Sequence, residues 1–452
     1  MSCVRGEKPS ACPNCEKLQK LLDEALERLA RAEERIEKLQ REGHRQAAPF
    51  RRPEKKRKTD KAKPGRKKGH KPSYRKPPAT VDEFADVPLD RCPDCGGPLH
   101  DLRPVEQIIE DIPPVTIRRL HLTTYRGRCD RCGTVCSTHP EQVSRAVGAA
   151  GTHIGRNALA LAADLNKHYG ITMRKTCAIL HEHFGLQISP GGLSQALVRI
   201  AGKLRGPFGE LQRKVRQAPA IYADETGWWL GGQSAWLWTF TSPDFTLYTI
   251  DNRSQHVIRR VLGDDFPGVL ISDCLASYDP HPGRKSKCCA HHLKAISEAI
   301  GQAPGSEFLP AIRTLFKASI IWHGLRDELD TTRYTRQVAD LERRLDELLE
   351  PPRGHPAEIR VRNRLAKHRP HLLTFLHLPG VDPTNNLAER QLRPAVIARK
   401  LSCGNKTLVG ATSFEVLTSL AATCRQQGRS FSELVAGWLS LLSPPPPLFD
   451  LP

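Results

Sequence analysis

Residues 220–230 have the sequence AIYADETGWWL, and the fold of the chain can be inferred starting from them. It is rich in apolar and aromatic residues, and two more runs of the same character follow at 235–241 and 245–250. Turn-forming Gly, Ser, Pro and Asp residues separate the runs, as expected for successive β-strands. A helical stretch at 254–262 and an apolar run at 268–273 complete the series. The sequence therefore predicts the order β-β-β-α-β.

This order of elements predicts the positions of acidic residues. It is the opening order of an RNase H-like α/β domain, in which the first and fourth strands are neighbours. Asp224 lies within the first strand and Asp273 ends the fourth, so we expect the two to lie side by side. A later helix begins near Asn385, with Thr384 or Asn385 as its N-cap, which places Glu389 in its first turn or two.

Three carboxylates brought together repel one another unless they hold cations. Oxygen ligands that leave room for water and phosphate suit Mg²⁺ or Mn²⁺, and two such ions can activate a water or 3′-hydroxyl against a phosphodiester. Taken singly, Asp224 can simply end a strand, Asp273 can cap the next helix and Glu389 can complement a helix N-terminus. On these elements and in this order, the three favour metal-assisted DNA strand cleavage and transfer.

The positive charge of the chain is unevenly distributed. The 452 residues include 69 Lys and Arg against 49 Asp and Glu, a formal net charge of +20, and 39% hydrophobic residues, which excludes a wholly disordered chain. Residues 41–80 alone hold 16 basic and three acidic residues, interrupted by prolines. We interpret 43–85 as a disordered basic arm attracted to a polyanion, with a solvated linker as the alternative. Its candidate DNA contacts are Arg57, Lys58, Arg66, Lys67 and Lys68.

The segment before the arm, residues 16–42, has a heptad repeat. Apolar residues recur at alternating spacings of four and three, at Leu18, Leu22, Ala25, Leu29, Ala32, Ile36 and Leu39. The spacing predicts a short coiled coil and therefore a homo-oligomer. The alternative is a single amphipathic helix packed on the body of its own chain.

Cysteine usage indicates a metal module. The chain has 14 Cys, and neither a signal peptide nor an apolar run long enough to span a membrane is evident, so we expect a cytoplasmic protein with reduced thiols. Two CxxC knuckles, each followed by Gly, flank strand-like sequence at 115–125. Four thiolates on two tight turns match a structural Zn²⁺ site, which predicts a zinc ribbon over 86–140. Its ligands are Cys92, Cys95, Cys129 and Cys132.

Residues 150–215 are predicted to be helical. Helices are expected at 157–168 and 173–184, and a third begins at Pro190 with Ser189 as its N-cap. Two helices around a short turn outline a helix-turn-helix, whose second helix would enter a DNA major groove; an ordinary helical hairpin is the alternative. The residues expected on its exposed face are Ser194, Gln195 and Arg199.

The fold class that emerges is a multidomain α+β protein. An RNase H-like catalytic domain over 216–300 and 381–440 is interrupted by a helical insertion at 301–380, and a Pro-rich tail occupies 441–452. Basic residues close to Glu389 are candidates for DNA phosphate contacts, with solvated surface charges as the alternative. They are Arg390, Arg393, Arg399 and Lys400.

Several motifs together resemble one family. The motifs are CPDCGGPL at 92–99, DET at 224–226 with WLW at 236–238, SD at 272–273 with Tyr278, CCAH at 288–291, and NNLAERQLRP at 385–394 with Arg399 and Lys400. Over nearly all of residues 16–440 the chain is similar to bacterial DDE transposases of the insertion sequence 66 family. The resemblance implies that Asp224, Asp273 and Glu389 are the metal-binding catalytic triad, with an insertion between the last two.

The resemblance also implies partners and a second functional alternative. It implies a nucleoid-associated bacterial enzyme that binds the terminal inverted repeats of its element and target DNA, with possible accessory transposition proteins. His291 would contact phosphate or substrate DNA, unless it is a partly buried helix histidine. The chain departs from the family pattern with Cys274 in place of Gly and Cys289 in place of Trp. These departures leave open a non-catalytic or decayed DNA-binding regulator derived from a transposase.

Overall fold

The computed structural model of the chain describes residues 75–113, 115–145, 152–442 and 446–449. The predicted coiled coil at 16–42 lies outside these residues, as do the arm residues Arg57, Lys58, Arg66, Lys67 and Lys68. The chain divides into two units, 1–114 and 115–452.

In the first unit, the described residues 75–113 contain no helix or strand. Its defined local feature is the CxxC knuckle that begins at Cys92. The Gly96 N–H donates to the Cys92 carbonyl over 2.8 Å, and Gly96 adopts φ +72°, a conformation that favours glycine. Hydrogen bonds from the backbone N–H groups of Asp94 and Cys95 lower the pKa of the Cys92 thiol.

The second unit begins with a small hairpin that carries the other knuckle. Strands β1 (Arg126–Cys129) and β2 (Gly133–Cys136) are antiparallel, with Cys129 opposite Gly133. Backbone N–H groups of the turn, led by that of Cys132, lower the pKa of the Cys129 thiol. The expectation of a strand at 115–125 is wrong, because the backbone there pairs with no other strand and the only ladder at this knuckle is β1–β2.

Helices precede the main sheet, as predicted. They are α1 (Arg156–Ala163), continued by a π-helical turn (Asp164–His168), α2 (Met173–Phe184), α3 (Pro190–Lys203) and α4 (Arg205–Gln217). Gly185 ends α2 in the left-handed conformation, and the Ser189 hydroxyl accepts the Gly192 N–H over 3.0 Å at the start of α3. The predicted cap is therefore confirmed. Residues 194, 195 and 199 are exposed, while the opposite face of α3 is buried.

The main sheet has five strands in the order β5-β4-β3-β6-β7. The strands are β3 (Ala220–Leu230), β4 (Gln233–Thr241), β5 (Thr246–Asp251), β6 (Val269–Ser272) and β7 (Arg284–Lys287). Helix α5 (Gln255–Leu262) connects β5 to β6. The first three strands form an antiparallel meander, whereas β3 pairs with β6 in parallel. The predicted order β-β-β-α-β and the pairing of its first and fourth strands are confirmed.

Helices form most of the chain after the sheet. They are α6 (Cys289–Gln302), α7 (Phe308–Gly324), α8 (Thr331–Leu349), α9 (Pro356–His368), α10 (Thr374–His377), α11 (Asn386–Ser402), α12 (Leu408–Gln426) and α13 (Phe431–Leu439). The prediction that 301–380 is mainly helical is confirmed. No helix in the described part of the chain has the length and apolar character needed to cross a membrane.

The sheet is covered on both faces. On one face, residues such as Ile221 share a core with Leu197 of α3, Leu417 of α12 and Leu434 of α13. The helices before the sheet are therefore built into the same core as the C-terminal helices. On the other face, β3 and β6 pack against α6 to α9 and the start of α11. Leu448 in the C-terminal tail is fully buried in the first of these cores.

Candidate active site

The sheet register brings two acids to one face. Tyr222 of β3 is the parallel partner of Ile271 of β6. Side chains alternate along a strand, so residues two positions further on lie on the same face as this pair. Those residues are Asp224, within β3, and Asp273, immediately after β6. The Asp273 carboxylate accepts the Leu275 N–H over 2.9 Å, which turns the chain away from the sheet.

The third acid is brought in by the start of α11, which is anchored to the sheet. The Asn385 side-chain amide donates to the Ala223 carbonyl over 2.8 Å, one residue before Asp224. The Asn385 backbone N–H donates to the Cys288 sulfur over 3.1 Å, which ties α11 to α6. Glu389 lies in the first turn of α11, as predicted. The expected side-chain cap is absent from this helix start. The Asn385 side chain is turned toward β3, where its NH2 group donates to Ala223, and its Oδ1 atom, which a cap would use as acceptor, has no partner among the described residues.

An open cavity of about 300 Å³ lies between β3 and α11. Its lining residues are Asp224, Glu225, Thr226, Glu389, Leu392, Arg393 and Val396. Burial raises the pKa of Asp224 to about 7, and repulsion from the carboxylates of Glu225, Asp273 and Glu389 adds to the effect. Asp224 and Glu389 thus line the cavity, whereas Asp273 does not, and Asp273 and Glu389 lie close enough to Asp224 to raise its pKa.

His291 lies beside these acids on the first turn of α6. Its Nε2 atom is 4.0 Å from a carboxylate oxygen of Glu389. The neighbouring Cys288 side chain raises the pKa of His291, and the charges of Asp273 and Glu389 act in the same direction against burial. Burial alone would raise the pKa of Cys288, but His291 and the Asn385 N–H outweigh it and lower that pKa. The imidazole is thus biased toward its cationic form next to the acids.

A second buried carboxylate, not predicted from the sequence, lies behind Asp224. The Glu225 side chain is only 2% exposed, and it accepts hydrogen bonds from Arg253 and from the Tyr278 hydroxyl, each over 2.8 Å. Arg253 in turn lies over the Trp236 ring, 3.9 Å from its centroid. The DET and WLW motifs of the sequence contain two members of this cluster, Glu225 and Trp236. Only the fold brings them together with Tyr278.

The basic residues near Glu389 fall into two groups. Arg390 and Arg393 are exposed, and Arg393 lines the cavity. Arg399 is half-buried instead: its guanidinium donates to the Thr226 hydroxyl over 3.0 Å and to the Gly227 carbonyl. Lys400 is also half-buried. The geometry therefore gives Arg393 direct access to a ligand in the cavity, while Arg399 fastens α11 to β3.

The donor chemistry of the cavity suits a divalent cation. Within residues 75–113, 115–145, 152–442 and 446–449, no group of three or more His, Cys, Asp or Glu side chains is arranged closely enough to hold a metal ion. Asp224, Asp273 and Glu389 nonetheless offer hard oxygen donors, and their mutual repulsion is what a cation relieves. The CxxC knuckles lie in different units, Cys92 and Cys95 in the first and Cys129 and Cys132 in the second.

These observations define an α/β protein with an acidic cavity between strand β3 and helix α11. A family model described as "Transposase IS66 family" matches residues 151–413, more than half of the chain, and the chain belongs to this family. The predicted resemblance is confirmed. The chain is also 22% identical over 370 residues to the uncharacterized protein y4jD of Sinorhizobium fredii (strain NBRC 101917 / NGR234), covering 75% of this chain and 71% of that protein.

Proposed function

We propose that this transposase cleaves and joins DNA at Asp224, Asp273 and Glu389 within an RNase H-like catalytic domain. The observation that carries the proposal is the convergence of the three carboxylates from β3, β6 and α11, with the pKa of Asp224 raised to about 7. Repulsion between neighbouring carboxylates lowers the stability of the folded protein, so an acid cluster at this place indicates a function for these residues. A protein that only binds DNA has no need to turn three carboxylates toward a polyanion.

The three acids would hold a pair of Mg²⁺ or Mn²⁺ ions. When bound, the ions activate a water or 3′-hydroxyl nucleophile and stabilise the leaving oxygen of the phosphodiester. Asp224 gives up its proton when a cation binds, because the cation favours the ionised carboxylate. The Asn385 anchor keeps Glu389 opposite β3 while DNA enters the cavity.

Two cationic side chains are placed to handle the phosphates of the DNA. Arg393 lines the cavity without an acidic partner among the described residues, so its guanidinium is available to a phosphate. His291, biased toward its protonated form, can donate to a phosphate oxygen near Glu389. Both side chains would position the DNA strand next to the acids, and neither would take part in bond cleavage.

The regions outside the cavity are proposed to recognise and hold DNA. The exposed face of α3 would read the terminal inverted repeats, and the basic arm would bind DNA backbone nonspecifically. The coiled coil at 16–42 would join copies of the chain, and the two CxxC knuckles would share a structural Zn²⁺. Accessory transposition proteins and a nucleoid location complete the proposal.

The decisive experiment is a nicking and strand-transfer assay on a terminal-repeat duplex with Mg²⁺. Wild type is compared with Asp224→Asn and with Asp244→Asn, a control acid exposed in the β4–β5 turn. We expect the first variant to lose cleavage and the control to retain it. Equal cleavage by wild type and Asp224→Asn would refute the assignment. Specific binding without any cleavage by wild type would instead favour the non-catalytic regulator.

A further inference from the structure

Helix α9 carries an arginine that lacks an acidic partner. The Nε atom of Arg364 is buried and has no hydrogen-bond partner, and no carboxylate in the described ranges forms an ion pair with it. Its neighbour Lys367, three residues later on α9, does pair with a carboxylate, that of Asp279, over 2.7 Å. Arginine is rarely left partly buried without a counterion, because desolvating the charge is costly.

The position of Arg364 is beside the second acid of the cluster. His368, one helical turn further along α9, lies with its ring 6.4 Å from the ring of His292 on α6. The Nε2 atom of His292 is 3.5 Å from the sulfur of Cys274, the residue directly after Asp273. Helix α9 thus reaches the turn that carries Asp273, and Arg364 lies on the side of the helix that does so.

The side chains near Arg364 include Cys274, His292 and His368. The Arg364 guanidinium lies close enough to the sulfur of Cys274, the residue directly after Asp273, to act on its pKa. Burial lowers the pKa of His292 to about 3 and that of His368 to about 4, with neighbouring cations contributing to both effects. The Asp273 and Asp279 carboxylates are nearby, but neither forms an ion pair with Arg364 among the described residues.

An anion that approaches Asp273 would provide Arg364 with the hydrogen-bonding partner that its Nε atom lacks. Guanidinium groups bind phosphate through paired, charge-assisted hydrogen bonds, and a partly desolvated guanidinium binds more strongly than one in open solvent. In a transposase, the polyanion that approaches the acid cluster is the DNA strand. The helical segment 301–380 would then contribute to the DNA-binding surface beside the acids, in addition to any role as a structural insertion.

We propose that Arg364 binds a DNA phosphate next to Asp273, and that α9 thereby completes the substrate-binding surface of the active site. This inference rests on the proposed function. It assigns Arg364 to holding the strand, and it assigns no proton transfer or bond cleavage to the residue.

The test measures DNA affinity as a function of salt, by fluorescence anisotropy with a labelled terminal-repeat duplex in the cleavage-deficient Asp224→Asn protein. Arg364→Ala should weaken binding roughly 5- to 100-fold and reduce the salt slope by about one, as expected for one lost phosphate contact. Arg364→Lys should restore the slope but only part of the affinity, because a lysine cannot make paired hydrogen bonds. The matched control is Arg360→Ala, on the same helix as Arg364. It removes an exposed arginine that donates a hydrogen bond to the Gln302 side chain of α6.

A purely structural role gives a different outcome. If Arg364 stabilised the fold, Arg364→Leu would lower the melting temperature without DNA, whereas removing a charge that forms no ion pair should raise it or leave it unchanged. Unaltered affinity and salt slope in Arg364→Ala, or an equal loss in Arg360→Ala, would overturn the proposal. Failure of the proposed function looks different, because wild type would then bind the duplex with Arg364 intact but fail to cleave it with Mg²⁺.

Discussion

Asp224→Asn should make the metal-free protein more stable at neutral pH, although it removes a proposed catalytic group. The pKa of Asp224 is raised from 3.8 to about 7, first by burial and then by neighbouring carboxylates. The folded state therefore holds a proton that the unfolded state has lost, and stability falls as the pH rises from about 4 to about 7. A rise of about three in a pKa corresponds to about 4 kcal/mol in the free energy of unfolding, and this loss of stability is complete above about pH 7.

Asparagine has almost the same shape as aspartate and carries no charge. Its side-chain oxygen can still accept the Glu225 N–H, which the Asp224 carboxylate accepts over 2.9 Å in the wild type. The variant should therefore avoid the electrostatic cost while keeping the local hydrogen bond. At pH 8 without divalent cations we expect its free energy of unfolding to exceed that of wild type by up to about 4 kcal/mol.

The assay is urea unfolding between pH 4 and pH 8.5, with and without Mg²⁺. In the absence of the cation, wild type should lose stability across this range and Asp224→Asn should lose less, while Asp244→Asn follows wild type. Mg²⁺ at about 100 times its dissociation constant should return about 2.7 kcal/mol to wild type and much less to Asp224→Asn. A variant that is less stable than wild type at pH 8, or that keeps the wild-type pH dependence, would refute the electrostatic argument.

Two further substitutions test the anchors that hold the site together. Asn385→Ala removes the hydrogen bond to the Ala223 carbonyl and leaves that buried acceptor unpaired. We therefore expect the free energy of unfolding in urea to fall by about 1–3 kcal/mol and DNA cleavage to be slower. Unchanged values for both would contradict the anchoring role. Gly404→Ala should lower the melting temperature, because Gly404 adopts φ +95° and an added Cβ would lie 2.4 Å from the Trp229 carbonyl oxygen. Gly301→Ala is its control, since open space surrounds that position and alanine favours the helix; equal effects of the two changes would refute the steric argument.

The central sheet could be predicted from the sequence because its signals are local. Apolar runs separated by turn residues defined β3 to β6 to within two residues at each end. The order β-β-β-α-β is the opening order of an RNase H-like domain, which places the fourth strand beside the first, and the crossover helix between β5 and β6 allows the parallel pairing of β6 with β3. Asp224 and Asp273 follow from that pairing alone.

The side-chain contacts of the site could not be predicted in the same way. Asn385 was expected to cap α11, since Asn before an apolar-periodic segment usually does so, but its side chain is oriented by the hydrogen bond from its NH2 group to the Ala223 carbonyl, and its Oδ1 atom accepts no helix N–H. The Ala223 carbonyl is 162 positions away in sequence and comes within reach only in the folded chain. Arg399 is a second example. Its sequence position beside Glu389 indicates a phosphate contact, whereas in the structure its guanidinium donates to the Thr226 hydroxyl and the Gly227 carbonyl.

The positive charge of the chain thus serves different purposes in different places. Arg253 and Arg399 are occupied by Glu225 and by the backbone and hydroxyl of β3, so they stabilise the scaffold around the acids. Arg393 faces the cavity and Arg364 lies beside Asp273, both without a carboxylate partner among the described residues. An arginine near the acid cluster is therefore assigned to substrate only when it forms no ion pair with a carboxylate of the described chain. By that criterion, α11 and α9 would hold the DNA from two sides of one acidic cluster.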